Sequence, residues 1–469
     1  MGSSASGSQN GVGRALGRTL ARRHIALIAL GGVIGAGLFV GSGVAINVAG
    51  PAITVSYLLA GLVVLAVMTM IGELSQAHPS IQAFTELIRA QGGRGVGFVI
   101  AWLYWYSWVL TIAIEAVAAA NILRAWIPLP IWELSVGLIF AITGLNLLST
   151  RSFGEFEFWL SSIKVIAIVG FIVAALSFSF GFWGGHGLTW PNLFVHGGFL
   201  PHGIPSIFTG VVAVFFSLCG AEVTTIASVE AREGVGSGTR LAVALMVRLT
   251  AFYVVSILLI VVVVPWTSVI PGISPFITAL QSMGLTHAGT LMTATVLTAI
   301  LSNLNTSLYV SSRVLYTLAR HAEAPGVFGH LNRRLVPDSA VLVGCASGLG
   351  CLMVSFTSAQ SAFIFLVNGI GAVSLFIYLT VCITHLRLRY QLRGKREERR
   401  SGIPLWITYA AILAIGSFLL VMAANSGLMS PLSMGAVPVL VATVAYLCMR
   451  ARRARSVSLA APRNSADRS

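Results

Sequence analysis

The chain has 469 residues, 56% hydrophobic and only 9% charged, with a mean hydropathy of +0.89. A soluble domain carries about 25% charged residues, so a soluble protein is excluded. The apolar runs are of helix-span length, not the ~10-residue alternating strands of an outer-membrane barrel, and predict an all-α integral membrane protein.

Residues 1–23 form a Gly/Ser-rich arm carrying Arg14, Arg18, Arg22 and Arg23, expected to be disordered. The first apolar run is too long for a cleavable signal segment. Twelve spans are predicted, near 25–49, 52–77, 95–123, 131–149, 158–178, 204–228, 241–264, 286–318, 339–357, 360–385, 403–424 and 432–450. The first ten (24–390) read as a transport core and the last two (391–450) as an addition, with a disordered basic tail at 451–469. With the N-terminus in the cytoplasm and the spans alternating, only Arg124 of the 29 Lys and Arg falls outside. That asymmetry is the positive-inside signature, and it puts both termini in the cytoplasm of a multi-pass plasma-membrane (bacterial inner-membrane) protein. It also assigns the net charge of +15 to topology and to attraction by anionic lipid, and excludes a nucleic-acid partner.

In span 1, Gly31-Gly32-Val33-Ile34-Gly35-Ala36-Gly37 sets four glycines in seven residues. Glycine costs about 1 kcal/mol against alanine inside a helix, so the run needs a reason. Either it packs closely against a neighbour, or it unwinds in mid-membrane and offers bare N–H groups to an anion. Residues 79–94 predict a short amphipathic helix on the inner face, and 180–203 the longest outer loop. Span 6 has its own weak point at Phe215-Phe216-Ser217-Leu218-Cys219-Gly220-Ala221-Glu222. Because five is odd, a repeat of spans 1–5 as 6–10 is inverted, and matching interruptions in two inverted halves point to a carrier's binding site. The unwinding reading of span 1 gains weight accordingly. Half-helix N–H groups at Ile34, Gly35, Ala36 and Gly37 suit a carboxylate, and freed carbonyls at Phe216, Ser217, Leu218 and Cys219 suit an ammonium.

Ionisable groups inside spans cost about 2.5–3.5 kcal/mol each and are functional suspects. Lys164 in span 5 can exchange a proton or snorkel to the interface. Glu222 can accept a proton or hold the two broken helices together. Glu115, midway along span 3, can line the site or buttress span 1. Ser302, Asn303, Asn305 and Thr306 are polar at mid-span 8; Tyr104, Trp105, Phe215 and Phe216 can gate or merely pack. His24, His78 and His385 sit at inner helix ends and read as interface residues. Cys219, Cys345, Cys351, Cys382 and Cys448 lack metal-ligand spacing, so neither a metal nor a cofactor is expected. There is no Gly-x-Ser-x-Gly, His-Glu-x-x-His or Walker sequence, and the aspartates, Asp338 and Asp467, lie outside the lipid. An enzyme and a chain-borne or partner ATPase are therefore not expected.

The sequence resembles the amino acid–polyamine–organocation superfamily and, within it, the bacterial amino acid transporter family. The likeness rests on Gly32–Gly43, Ala49-Gly50-Pro51, Gly154-Glu155-Phe156-Glu157-Phe158-Trp159, Gly197–Pro201, Gly220–Val223 and Arg313–Leu318, between about Arg23 and Arg389. It implies a five-plus-five inverted-repeat fold with helices 1 and 6 broken, and proton-coupled uptake of a small amino acid. γ-Aminobutyrate stands first, then neutral α-amino acids such as proline, alanine or asparagine; a non-transporting sensor is the remaining alternative. The resemblance makes Lys164 the cation bridging span 1 and span 8, with Asn305 near it. Two departures concern the inner gate: Gln82-Ala83-Phe84 with Leu87 after span 2, and Glu230–Gly238 without a proline after span 6.

Overall fold

The computed structural model describes residues 33–79, 81, 83–148, 153–183, 188–222, 237–353, 359–393 and 403–460. The N-terminal arm, Gly31 and Gly32, Gln82, Glu230–Gly236, most of the basic block after Arg393 and the tail from 461 lie outside them.

Every described element is helical. A π-helical turn, Gly37–Gly41, runs into α1 (Ser42–Ala49). Then come α2 (Ile53–Ala77), α3 (Phe84–Gly92), α4 (Arg94–Leu123), α5 (Ile131–Leu148) and α6 (Phe153–Ser179). After the short α7 (Asn192–Val195) follow α8 (Pro205–Leu218), α9 (Ser237–Val263), α10 (Pro275–Ser282) and α11 (Thr286–Arg320). The chain ends with α12 (Asp338–Leu352), α13 (Ala359–Leu392), α14 (Leu405–Ala424) and α15 (Ser426–Ala460). Among the described residues, eight stretches are long and apolar enough to cross a bilayer, and three shorter apolar helices join them, 131–147, Pro205–Leu218 and Asp338–Leu352.

Apolar run length fixes the helices because lipid leaves backbone groups no partner but their own helix. Where the pattern ends, propensity takes over. α15 was expected to stop near 450 and to give way to disorder at 451, yet it continues to Ala460. Its last turns are Ala, Arg, Ser and Leu, which favour a helix without an apolar face. α10 was not foreseen; Pro275 at its first turn supplies a helix start inside the connection between α9 and α11.

α4 and α8 lie at the centre. α4 packs on α5, α11, α12, α13 and α15; α8 packs on α1, α2, α13 and α14. The predicted inner helix is present as α3, which Arg89 fixes to the loop after α11: its Nη1 and Nη2 each donate to one Glu323 oxygen at 2.7 Å. Burial alone works against the Arg89 charge, but the Glu323 and Glu86 carboxylates outweigh it and hold its pKa above the ordinary value. His385 is no interface residue. It is fully buried, with Nε2 2.9 Å from Glu73 Oε2 and Nδ1 3.1 Å from Thr408 Oγ1. Glu73 also accepts the Ile403 N–H at 2.9 Å, so one carboxylate ties α2 to α13 and to the entry of α14.

Candidate functional site

Helical structure lapses at Ile34 and Gly35 before the π turn begins. It lapses again after Leu218, where Cys219 is extended (φ −61°, ψ 140°) and Gly220 takes φ +94°, a left-handed conformation that glycine alone adopts without strain. The two gaps meet. Ser217 Oγ donates to the Gly37 carbonyl at 2.6 Å, and Tyr57 Oη, 3.2 Å away, completes the hydroxyl's bonding. A Cβ on Gly37 would stand 2.6 Å from Ser217 Cα, so only glycine allows this approach. Tyr253 Oη, at 3.5 Å, reaches the Val33 carbonyl on the other side of the first gap.

The freed donor at Ala36 is already taken. Its N–H is shared by the two Glu115 oxygens at 3.2 and 3.1 Å, and Asn303 Nδ2 donates to the same carboxylate. Glu115 is wholly buried, so α4 supplies an internal carboxyl group where the sequence reserved a place for a ligand's. A Cβ on Gly35 would run into this pair, 2.8 Å from Glu115 Oε1. A carboxylate on a bared helix N–H follows from the partial positive charge there.

Lys164 sits on the other side of α11, also buried. Its Nζ donates to Ser302 Oγ at 3.0 Å and lies 3.6 Å from Glu157 Oε1. The Ser302 hydroxyl in turn donates a hydrogen bond shared by the two Glu157 oxygens, both at 2.7 Å. Glu157 is a member of this cluster that the residue-by-residue reading passed over. The signal was its spacing, since Glu157 and Lys164 lie seven residues apart and share a helix face. α11 packs on both α4, which carries Glu115, and α6, which carries Lys164.

Glu222 belongs to a separate group at the second gap. It is 2% exposed, its Oε2 has no hydrogen-bond partner, and the phenols of Tyr104 and Tyr378 and the Cys219 thiol are its polar neighbours. The remaining candidates lie apart. Asn305 accepts from Asn146 Nδ2 at 2.6 Å, which turns it toward α5 and not toward Lys164. Phe215 packs on Tyr378 and Phe418, away from the first gap; Phe216 covers Gly41. Tyr57 and Tyr253, edge to face at 6.2 Å, were not singled out in the sequence, where each reads as one aromatic in an apolar run. Ile34, Gly35, Ala36, Gly37, Phe216, Ser217 and Leu218 are all buried, and the two gaps are packed against each other.

Two interruptions within apolar spans, with Glu115 and Glu222 buried at them and the Lys164–Glu157 pair buried across α11, point to a membrane transport protein. The chain belongs to the amino acid permease family, whose profile matches residues 24–449. It is 39% identical over 453 residues to the gamma-aminobutyric acid permease of Bacillus subtilis strain 168, covering 95% of this chain and 96% of that one. It is 38% identical to the gamma-aminobutyric acid permease of Escherichia coli K12 over 87% of this chain and 88% of the other. The aromatic amino acid transport protein AroP of Corynebacterium glutamicum is 32% identical over 83% of this chain and 85% of its own.

Proposed function

We propose that this protein is a proton-coupled importer of small amino acids in the plasma membrane, with γ-aminobutyrate as its foremost substrate. The observation that carries this is the meeting of the two helix gaps at Gly37 and Ser217, in a chain whose relatives bear the name of that substrate. The substrate carboxylate is assigned to the backbone from Ile34 to Gly37 and the amine to the carbonyls from Phe216 to Cys219. Because Glu115 holds the Ala36 N–H and Ser217 holds the Gly37 carbonyl, binding requires the two gaps to separate. Lys164, with its Glu157 and Ser302 partners, and Glu222 are the proton-coupling groups; Tyr104, Asn305 and Phe215 are secondary contributors.

The fold proposed is a twelve-helix, five-plus-five inverted repeat with cytoplasmic termini. Its support is a paired packing pattern. With spans 1 to 5 in α1, α2, α4, α5 and α6, and 6 to 10 in α8, α9, α11, α12 and α13, four equivalent pairs touch: α1·α8, α2·α9, α4·α11 and α5·α12. Contacts exchanged by the repeat also occur together, α6·α11 with α13·α4 and α6·α9 with α13·α2.

Proteoliposomes holding the purified chain and an inward proton gradient should accumulate labelled γ-aminobutyrate, and a protonophore should abolish the accumulation. Competition by unlabelled proline, alanine, asparagine and aromatic amino acids ranks the alternatives. Binding without any flux would replace the carrier with a sensor. Saturable uptake competed by an α-amino acid but not by γ-aminobutyrate would keep the carrier and change its substrate.

A further inference from the structure

At the arginine-rich end of the molecule, a cleft of about 90 Å³ opens between the start of α4 and the end of α15, lined by Arg94, Glu323, Tyr446, Met449 and Arg450. That is roughly three waters at ~30 Å³ each, the scale of one phosphate group. Sequence makes the cleft. Gly95 lacks the Cβ that would stand 2.9 Å from Tyr446 Cε1, so the tyrosine ring lies across α4 and packs at a tilt against Phe98 with centroids 5.6 Å apart.

The charge in the cleft is unequally spent. Both Glu323 oxygens are taken by Arg89 at 2.7 Å, while Arg94 holds on only through Nε at 3.5 Å and leaves its side chain 54% exposed. Arg450 is exposed on the other wall. Arg89, Arg94 and Arg450 together outnumber the Glu323 and Glu86 carboxylates, and the net positive charge falls to Arg94 and Arg450 at the cleft. Above the cleft, Leu440, Val444 and Leu447 are 66%, 52% and 54% exposed; at i, i+4 and i+7 they make an apolar strip that ends three residues before Arg450. A cationic notch at the foot of a lipid-facing strip has the complementarity of an anionic phospholipid, with phosphate below and acyl chain above.

We propose that this cleft binds the phosphodiester headgroup of an anionic phospholipid through Arg94 and Arg450, with an acyl chain along Leu447, Val444 and Leu440. The bound head contacts the ion-pair group that fixes α3 to the loop after α11, so lipid composition bears on that attachment. The proposal is independent of the transported substrate.

The test is native mass spectrometry of the full chain in neutral detergent, with equal amounts of phosphatidylglycerol and phosphatidylcholine. Wild type is expected to retain phosphatidylglycerol at least fivefold over phosphatidylcholine. Arg94→Gln/Arg450→Gln should cut that preference at least threefold, and Arg94→Lys/Arg450→Lys should keep most of it. If the double glutamine variant does not purify as a folded species, Arg450→Gln alone, at the exposed helix end, should lose about half. Arg333→Gln/Arg334→Gln, in a different basic loop, should change nothing. Equal retention of both lipids, an unchanged preference in the double variant, or an equal loss in the Arg333/Arg334 control would overturn the site. So would displacement of the lipid by inorganic phosphate at matched phosphate concentration, which would make the notch a free-anion site.

Discussion

Gly37 carries the close approach between the two gaps, and its substitution is the most direct probe of them. Gly37→Ala puts a methyl group 2.6 Å from the Ser217 backbone, which cannot move without displacing α8. Overpacking of this kind costs about 1–3 kcal/mol, and here it also parts the Ser217–Gly37 hydrogen bond. Uptake in proteoliposomes should fall at least tenfold while the protein still purifies as a folded species; wild-type uptake would show that the gaps need not touch. Lys164 poses a different question, because its removal leaves Glu157 buried without its cation. Breaking a buried pair costs about 3–5 kcal/mol. Lys164→Ala should therefore lower the melting temperature and abolish proton-driven accumulation, and adding Glu157→Gln should restore stability but not accumulation. Recovery of both would reduce the pair to a structural tie. For Glu222→Gln the readout is the pH series of uptake, which should flatten; an unaltered series removes the carboxyl from coupling. These groups were visible in the sequence as charges inside apolar runs. Their partners were not, since Glu115 and Ala36 are 79 residues apart and no spacing rule connects them. Where the partner lay on the same helix, as for Glu157 and Lys164, the spacing was there to be read.

Among the elements, spans were legible because an apolar run in lipid has only one way to satisfy its backbone. Ends and short pieces were less so, because there the choice passes to local propensity, as in the helical extension of α15 and in α10. The inner helix α3 was legible from its amphipathic pattern, but what holds it was not. Arg89 clamps Glu323 with both terminal nitrogens, His321 Nε2 lies 2.9 Å from Glu86, and Arg387 donates to the Gly92 carbonyl at 2.8 Å. Since the folded-state pKa of Arg89 is raised, the stability it contributes is complete below its unfolded value and is lost only as pH rises through the higher folded value. No neutral or mildly alkaline medium discharges it. Arg89→Ala should therefore destabilise the protein by about 3–5 kcal/mol, and by the same amount at neutral and at mildly alkaline pH. Hydrogen exchange should locate the loosening in residues 84–92 and in the loop after α11. Exchange that rises uniformly through the molecule would show that α3 is not attached through this clamp.

On the scale of the whole molecule, both faces above and below the gaps are fastened. At the end opposite the Arg89 clamp, His202 Nδ1 lies 2.9 Å from the Val48 carbonyl, Trp266 Nε1 donates to His196 at 3.0 Å, and Asn192 donates to the Val262 carbonyl at 2.8 Å. Pro201 lies over Gly50, whose φ of +61° turns the chain out of α1. The loop between α6 and α8 therefore ties α1, directly after the first gap, to the entry of α8. A carrier that rocks around its central site has to break these bonds once in each cycle. A covalent tie between the loop and α1 should then stop transport without disturbing the fold. The exposed native thiol, Cys448, is first replaced by serine so that reagents do not attack it. In that background, Val48→Cys/His202→Cys joined by a short bifunctional maleimide should lose accumulation in proportion to the fraction cross-linked, with an unchanged melting temperature. A cleavable linker of the same length should return uptake when it is cut. If a fully cross-linked sample accumulates substrate at the unlinked rate, the loop between α6 and α8 does not move against α1, and access from that side must open elsewhere.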